Sequence, residues 1–441
     1  LPSLAQTLSL FLAPRLVRCG RLCVALSGGR DSLVLLHALS QLALLEDTAC
    51  NLSALHVHHG ISPQADAWAE FCAEFCQCCG VALKVVYVDV PRHSGEGLEA
   101  AARRLRHAAF AECAADWLAL AHHRDDQAET VLLNLLRGAG IAGAAAMLAE
   151  RPQARGPTLL RPLLDVPRSV IDDYAAHYGL RWIDDESNDD VRYRRNYLRH
   201  SVMPGLAEKF PGASLALARA AGHFAEGAAL LDDLALIDRA ELATPTGRVA
   251  LDRFNALPRA RARNFLRFEW LAAGFRAPDT RWIDEALRQL ANTSSAAETC
   301  IATAEGELHV YRGELHVLQR RPLVPTEPVK WTGEHKLPWA AGQVCFVPTV
   351  GRGIGRDLLA DSALRLDRRR GGERLQPDPR RPRRTLRNLL QEGGIPPWER
   401  DRLPCLWSGS RLVWVGGLGA DTAFACAQGA VGLQLFWEPQ P

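Results

Sequence analysis

The chain has 441 residues, 48% apolar and 23% charged, with a formal net charge of +2. That length exceeds one ordinary core and predicts two or three domains of a folded, soluble class. No apolar run reaches the ~18 residues of a membrane span, and the start lacks the basic stretch of a secretion signal, so no membrane partner is expected.

Leu1 in place of an initiator Met reads as a trimmed or mis-assigned start. Twelve cysteines are scattered without a framework spacing, which predicts reduced thiols and a cytoplasmic setting.

In chain order, 22–26 reads as a short buried strand and 32–45 as a helix. Strand 52–58, helix 63–79, strand 83–88, helix 97–115, strand 117–121 and helix 125–136 follow. Strands alternating with helices predict a parallel, doubly wound α/β sheet. Ligands of such sheets bind outside the strand carboxyl ends. Residues 151–215 read as an irregular extension, and 216–300 as Ala/Leu-rich helices. A hairpin is predicted over 306–318 around Arg312-Gly313, and 322–345 reads as a linker. The remainder is rich in strands and turns. The expected domains are 1–215 (the α/β sheet domain with its extension), 216–325 (helical) and 326–441 (a smaller α+β domain).

The segment Ser27-Gly-Gly-Arg-Asp-Ser32 leaves the first strand and opens a helix. Gly28 and Gly29 permit close backbone approach to a phosphate, and a helix N-terminus adds partial positive charge. Ser27 and Ser32 add hydroxyls. The Lys of a Walker loop is absent, as is a G-x-G-x-x-G fingerprint here. Asp31 beside phosphates is repulsive unless Mg²⁺ bridges them. The pattern therefore suits a nucleotide that loses pyrophosphate, which is adenylation rather than γ-phosphoryl transfer.

The stretch Ala121-His-His-Arg-Asp-Asp-Gln-Ala-Glu-Thr130 enters the fourth helix. His122, Asp126 and Glu129 fall at i, i+4 and i+7, predicting one shared helix face, and Asp125 pairs with Glu129 at i+4. Such a face near a phosphate loop can hold Mg²⁺ or a cationic substrate, and the imidazole can donate to phosphate or move protons. A zinc site built on His122 or His123 is an alternative, though H-E-x-x-H is not met. Glu99 and Arg103 stand at i, i+4 on the preceding helix.

Two further features stand out. Cys72, Cys76 and Cys79 share one helix face, which suits packing, while Cys76 and Cys79 also read as C-x-x-C. Between Arg365 and Arg387 there are ten Arg and three acids, interleaved with Gly, Pro and apolar residues. We read this as a folded basic patch that neutralises phosphates, with Arg380, Arg381, Arg383 and Arg384 at its centre.

S-G-G-x-D-S after a first strand resembles the pyrophosphate-loop superfamily, whose members cleave ATP to AMP and pyrophosphate. The full set resembles the tRNA(Ile)-lysidine synthetase family: His56-Val-His-His-Gly60, Glu99-Ala-Ala-Ala-Arg103, the 121–130 stretch, Arg161-Pro-Leu-Leu, and Asp185-Glu-Ser-Asn188 with Arg195-Asn-Tyr-Leu-Arg199. Residues 311–318, and 370–374 with 397–404, are similar to that family's C-terminal domains. Arg30 fills the variable loop position, and His58 and Ser62 replace a commoner Asp and Arg.

The resemblance implies ATP and Mg²⁺ as substrate and cofactor, held by Ser27, Gly28, Gly29, Arg30, Asp31 and Ser32, with adenine near His56. It implies a CAU-anticodon tRNA(Ile) and free L-lysine as partners, and it leaves a homodimer open. The wobble cytidine O2 attacks the α-phosphate, pyrophosphate leaves, and the lysine ε-amine displaces AMP from C2. Asp31 would bind Mg²⁺, Arg103 and His122 would stabilise phosphate charge, and Asp126 and Glu129 would orient the lysine ammonium or metal. Asn196 and Arg199 would sit near the cytidine. Three alternatives stay open at this point: a thiolase using the same adenylate with Cys76-x-x-Cys79, a non-catalytic RNA-binding relative, and a small-molecule amide-forming ligase.

Overall fold

The computed structural model describes residues 3–16, 20–42, 45, 47–91, 97–185, 190–293, 299–320, 324, 327–340, 342–359 and 363–439. Two compact units divide the chain, Leu1–Leu231 and Asp232–Pro441. Among the described residues no helix is long and apolar enough to cross a membrane, and every described cysteine is free. Glu186, Ser187 and Asn188 of the 185–188 motif, and the side chain of Glu99, lie outside the described residues.

The first unit carries helix α1 (Leu4–Leu12) and then alternates: β1 (Arg21–Ala25), α2 (Arg30–Ser40), β2 (Asn51–His58), α3 (Ala65–Cys78), β3 (Ala82–Tyr87), α4 (Leu98–Ala111), β4 (Trp117–Ala119) and α5 (Arg124–Leu136). A short α6 (Ile141–Ala144), a hairpin of β5 (Glu150–Arg151) and β6 (Thr158–Leu160), and α7 (Arg168–His177) follow. The sheet order is β3-β2-β1-β4-β6-β5, parallel except for the β5 edge.

Alternation along β1 explains its burial on both sides. Leu22 and Val24 join a core with Leu8 and Leu12 of α1, Leu33 to Leu39 of α2, Cys72 and Cys76 of α3 and Ile171 of α7. Cys23 faces the opposite core with Leu55, Val57, Phe110, Leu118 and Leu159. Helix α2 is buried almost all round, and each buried Leu contributes roughly 1.5–3 kcal/mol. The loop that feeds it is thereby anchored at both ends.

The chain winds outward from β1 to β3 and then returns to β4 on the other side of β1. This reversal opens a crevice at the carboxyl ends of β1 and β4. The Ser27 loop and the His122-His123 pair leave those two strand ends.

After α7 come α8 (Arg194–Tyr197), a π turn (Leu198–Val202), α9 (Met203–Lys209) and the long α10 (Ala213–Leu242). The second unit holds α11 (Leu251–Ala256), α12 (Arg259–Ala272) and α13 (Thr280–Ala291) against a sheet ordered β7 (Val249–Ala250), β10 (Glu314–Gln319), β9 (Gly306–Tyr311) and β8 (Thr299–Ala302). The predicted hairpin turns at Arg312 (φ 52°) and Gly313 (φ 75°), the left-handed pair that matches strand twist.

The expected linker over 322–345 is corrected by the fold. Val329–Lys330 is a strand, β11, paired with β15 (Leu364–Asp367), and β12 (Lys336–Pro338) pairs with β13 (Gly342–Val350). Trp339 and Val344 are buried in the core of this region, so its Pro and Gly mark short strands rather than a tether. Two sheets make up that core, β11-β15-β18-β19-β20 and β12-β13-β21-β14. Here β14 is Ile354–Gly355, and β18 to β21 are Cys405–Ser408, Arg411–Val415, Gly419–Ala420 and Val431–Pro439.

Candidate active site

The loop between β1 and α2 is held by its own hydroxyls. Ser32 Oγ donates to Gly29 O at 2.8 Å and accepts from Ser27 N at 3.2 Å. Gly29 N donates to Ser27 Oγ at 3.3 Å. Gly28 adopts φ +84°, and a Cβ there would stand 2.6 Å from Ile183 Cδ1 and 3.3 Å from Cys72 Sγ. Ile183 N also donates to Gly28 O at 3.0 Å. Glycine is therefore required for both conformation and space.

Arg30 turns away from this loop. Its Nη1 is 2.7 Å from Asp172 Oδ1, and its guanidinium lies 5.4 Å from the Trp182 ring centroid. Only Nε approaches Asp31, at 3.6 Å. The side chain buttresses α7 against the loop, which departs from its expected place among the ATP contacts. His56 is buried and donates from Nδ1 to Leu26 O at 2.9 Å; burial lowers its pKa, so the ring braces β2 against the loop as a neutral donor.

The second constellation differs in one respect from the expected face. Helix α5 begins at Arg124 with His123 as its N-cap, so His122 precedes the helix and shares no face with Asp126 and Glu129. His123 Nδ1 accepts from Asp125 N (3.2 Å) and Asp126 N (3.4 Å). With Nδ1 accepting, the ring presents its N–H at Nε2, which faces Asp126 Oδ2 at 3.4 Å and Asp31 Oδ2 at 3.7 Å. His123 thus joins the loop carboxylate to the helix carboxylate. The expected Asp125–Glu129 pair is replaced: Asp125 accepts from Arg168 N (3.0 Å) and Ser214 Oγ (2.8 Å).

Asp126 and Glu129, both buried, are gripped by two arginines. Arg195 donates from Nη2 to Asp126 Oδ1 at 2.8 Å and from Nε to Glu129 Oε2 at 3.1 Å. Arg199 donates from Nη2 to Asp126 Oδ1 at 2.8 Å and from Nε to Glu129 Oε1 at 2.7 Å. Burial alone would raise the Asp126 pKa, but His123, Arg195, His122 and Arg199 outweigh it and hold the carboxyl below its usual range. The backbone around Arg199 widens into the π turn, a feature frequent at functional sites.

His122 is pushed down to about 3, first by burial, against the pull of Asp126 and with the charges of Arg161, Arg195 and Arg106. Its Nδ1 is buried without a hydrogen-bond partner. A neutral imidazole with an unsatisfied nitrogen at the crevice is a ready donor or acceptor. Arg103 is exposed on α4, and its charge acts on His107 and Arg161. Arg106, three residues on, is the α4 cation whose charge reaches His122 and His59. Asn196 donates to Asp190 O at 3.1 Å, bracing the turn ahead of α8.

The sequence alone singled out Arg199, carried Arg195 only within its motif and His123 only as an alternative zinc ligand, and passed over Arg106. The signal for Arg195 was present. Two arginines at i, i+4 match two acids at i, i+3, so that each guanidinium spans both carboxylates.

A metal is consistent with one detail. Asp31 Oδ1 is buried with no hydrogen-bond donor, an oxygen ligand of the kind that hard cations take. An open cleft of about 400 Å³ lies beside the ends of β2 and β3, lined by His58, His59, Gly60, Tyr87 and Asp89 among others. Cys72 and Cys76 are buried, and burial pushes both thiols up to about 12. They are packing residues and unsuited to carry sulfur.

The basic run is folded, with β16 (Arg374–Leu375) and β17 (Arg384–Thr385) at its heart, followed by α14 (Leu386–Glu392). Many of its arginines are internally engaged. Arg383 pairs with the fully buried Asp421 at 2.6 Å, Arg384 with Glu392, Arg369 with Asp401 and Arg370 with Asp367. Arg380 and Arg381 are exposed at the tip, near Asp378.

Comparison with known proteins agrees with this layout. A PP-loop domain matches residues 2–206, a TilS substrate binding domain residues 250–316, and a TilS substrate C-terminal domain residues 364–437. The chain is 44% identical to the tRNA(Ile)-lysidine synthase of Azoarcus sp. (strain BH72), covering 95% of this chain and 92% of that one. It is 46% identical to that of Aromatoleum aromaticum, covering 95% and 97%, and 41% identical to that of Nitrosomonas europaea, covering 95% and 92%. With its glycine loop and paired carboxylates at the β1/β4 crevice and all three domain types in order, this chain belongs to the tRNA(Ile)-lysidine synthase family.

Proposed function

We propose that the protein is an ATP-dependent ligase that joins L-lysine to C2 of the wobble cytidine in CAU-anticodon tRNA(Ile), releasing AMP and diphosphate. The observation that carries this reading is the junction at His123, which brings Asp31 of the phosphate loop to the carboxylates of α5. Phosphate binding and capture of a cationic amine then share one crevice.

In this reading the backbone of Ser27 to Ser32 and the α2 N-terminus hold the pyrophosphate of ATP. The cytidine O2 attacks the α-phosphate, the bond to diphosphate breaks, and C2 becomes an electrophile. His122, neutral and partnerless at Nδ1, donates to the phosphoryl oxygens. Asp126 and Glu129 orient the lysine ammonium, and a carboxylate accepts the proton that the ε-amine must lose. The amine adds at C2, and the C2–O bond breaks as AMP leaves. Arg195, Arg199 and Asn196 face the cytidine and its phosphates. Asp31 would hold a Mg²⁺ that offsets pyrophosphate charge. We assign catalysis to residues 1–215, and tRNA recognition through phosphates and shape to 216–325 and 326–441.

The test is transfer of radiolabelled lysine to a CAU-anticodon tRNA(Ile) transcript with ATP and Mg²⁺, against a transcript whose wobble C is changed to U. Label on the first alone is expected. AMP release without label would move the reading to a different nucleophile, and neither signal would remove the enzymatic reading.

A further inference from the structure

The sheet β7-β10-β9-β8 has two faces of opposite character. Ile301, Leu308, Val310 and Leu315 are buried among the helices of their core. Side chains alternate along a strand, so Cys300, Glu307 and His309 occupy the other face, with Cys300 the register partner of His309. Cys300 Sγ stands 3.7 Å from His309 Nε2, and that nitrogen 2.9 Å from Glu307 Oε2. The three ligand atoms all lie within 4.8 Å of one another, the one such group among the described residues.

Zinc bound at ~2.3 Å to sulfur and ~2.0–2.1 Å to nitrogen or oxygen sets its tetrahedral ligands roughly 3.3–3.6 Å apart. The Cys300–His309 and His309–Glu307 separations lie within about half an ångström of that range, and the Cys300–Glu307 pair is within 4.8 Å. A thiol, an imidazole and a carboxylate together suit Zn²⁺ rather than Mg²⁺ or Ca²⁺. The His309 ring is held 4.4 Å from the Trp398 ring, which fixes its orientation. Cys300 is exposed, leaving a path for the ion. On the same face His316, in register with His309, has a buried Nε2 with no hydrogen-bond partner. This face thus holds one buried ring nitrogen that the protein itself leaves unsatisfied.

We propose that Cys300, Glu307 and His309 bind one Zn²⁺, with water as fourth ligand, as a clasp between β8 and β9. Binding releases the thiol proton to solvent, and the His309 ring keeps one proton, on Nδ1, so that Nε2 offers its lone pair. The clasp belongs to the second unit and takes no part in the chemistry at Asp31 and Asp126.

The experiment uses the full chain, stripped by chelator and titrated with Zn²⁺ alone and Co²⁺ alone. One tightly bound Zn²⁺, a raised unfolding temperature and a cobalt–thiolate charge-transfer band are expected. Cys300→Ser, at an exposed position, should abolish the band and weaken Zn²⁺ by more than about tenfold. Glu307→Gln should weaken Zn²⁺ while keeping the band. Equal stoichiometry and affinity in wild type and Cys300→Ser, or no thiolate band in wild type, would overturn the proposal. The other cysteines are common to both proteins and cancel in the comparison.

Discussion

Arg199 Nε stands 2.7 Å from Glu129 Oε1, while its Nη2 reaches both Glu129 Oε2 (2.9 Å) and Asp126 Oδ1 (2.8 Å). One guanidinium therefore ties two buried acids, and Arg195 repeats the grip. Glu129→Gln keeps the shape and removes one charge. Breaking one partner of a buried pair costs about 3–5 kcal/mol, but both arginines are partly solvated, so ~1–3 kcal/mol is expected. Lysine transfer should fall at least 10²-fold or so while tRNA-dependent AMP release persists. Equal loss of both would assign Glu129 to the scaffold rather than to lysine.

Asp31 offers a sharper separation of steps. Its Oδ1 is buried without a donor, so Asp31→Asn removes charge at little cost to packing. AMP and diphosphate formation should be abolished, and tRNA affinity measured by filter binding should stay within about twofold. Retained AMP formation in this variant would remove Asp31 from the phosphate chemistry.

Gly28→Ala introduces a Cβ 2.6 Å from Ile183 Cδ1 at a backbone φ of +84°. The two faults are separable. Adding Ile183→Ala relieves the contact but not the left-handed strain of about 1 kcal/mol. The single variant should bind ATP weakly in a calorimetric titration, and the double variant should recover in part. Full ATP affinity in Gly28→Ala would show that the loop is free to shift.

The alternation of the first 140 residues made the sheet legible, because buried parallel strands read as short apolar runs between helical periods. The S-G-G-R-D-S loop was legible for the same reason: its glycines have no other task at a strand end. The 329–350 strands were not, since Pro, Gly and Trp there disguise two-to-nine-residue pieces, two of which pair with segments far along the chain. His122 was misplaced onto a helix face because an imidazole N-cap at His123 is an uncommon capping residue. The carboxylates of α5 were legible as a face, but their arginine partners lie some 70 positions away, a distance periodicity does not span.

The basic run illustrates a count of charges that overstates the available cations. Arg383 holds the fully buried Asp421, which also caps the turn at Ala423. Arg383→Ala should lower the unfolding temperature as well as tRNA affinity, because it strands a buried charge. Arg380 and Arg381 are exposed. Their joint replacement by Ala should leave the unfolding temperature unchanged, weaken tRNA binding, and reduce the salt slope by about 0.7–0.9 per lost phosphate contact. An unchanged slope in the Arg380/Arg381 variant would remove this tip from the tRNA surface.

Three histidines predict a pH dependence of stability with a defined sign. Burial is the main cause that takes His122 down to about 3 and His59 and His107 to about 4, from an ordinary 6.5. Each is neutral in the fold, while the unfolded chain binds a proton below 6.5. The unfolded state therefore gains protons that the folded state refuses, and stability is fully present above 6.5 and declines as pH falls toward 4. Thermal unfolding followed from about pH 7.5 to pH 4.5 should show a falling midpoint. His122→Gln should flatten that fall by roughly a third, since each of the three rings stays neutral in the fold across this window. A wild-type midpoint that holds steady over this window would mean that these rings are solvated enough to charge within the fold.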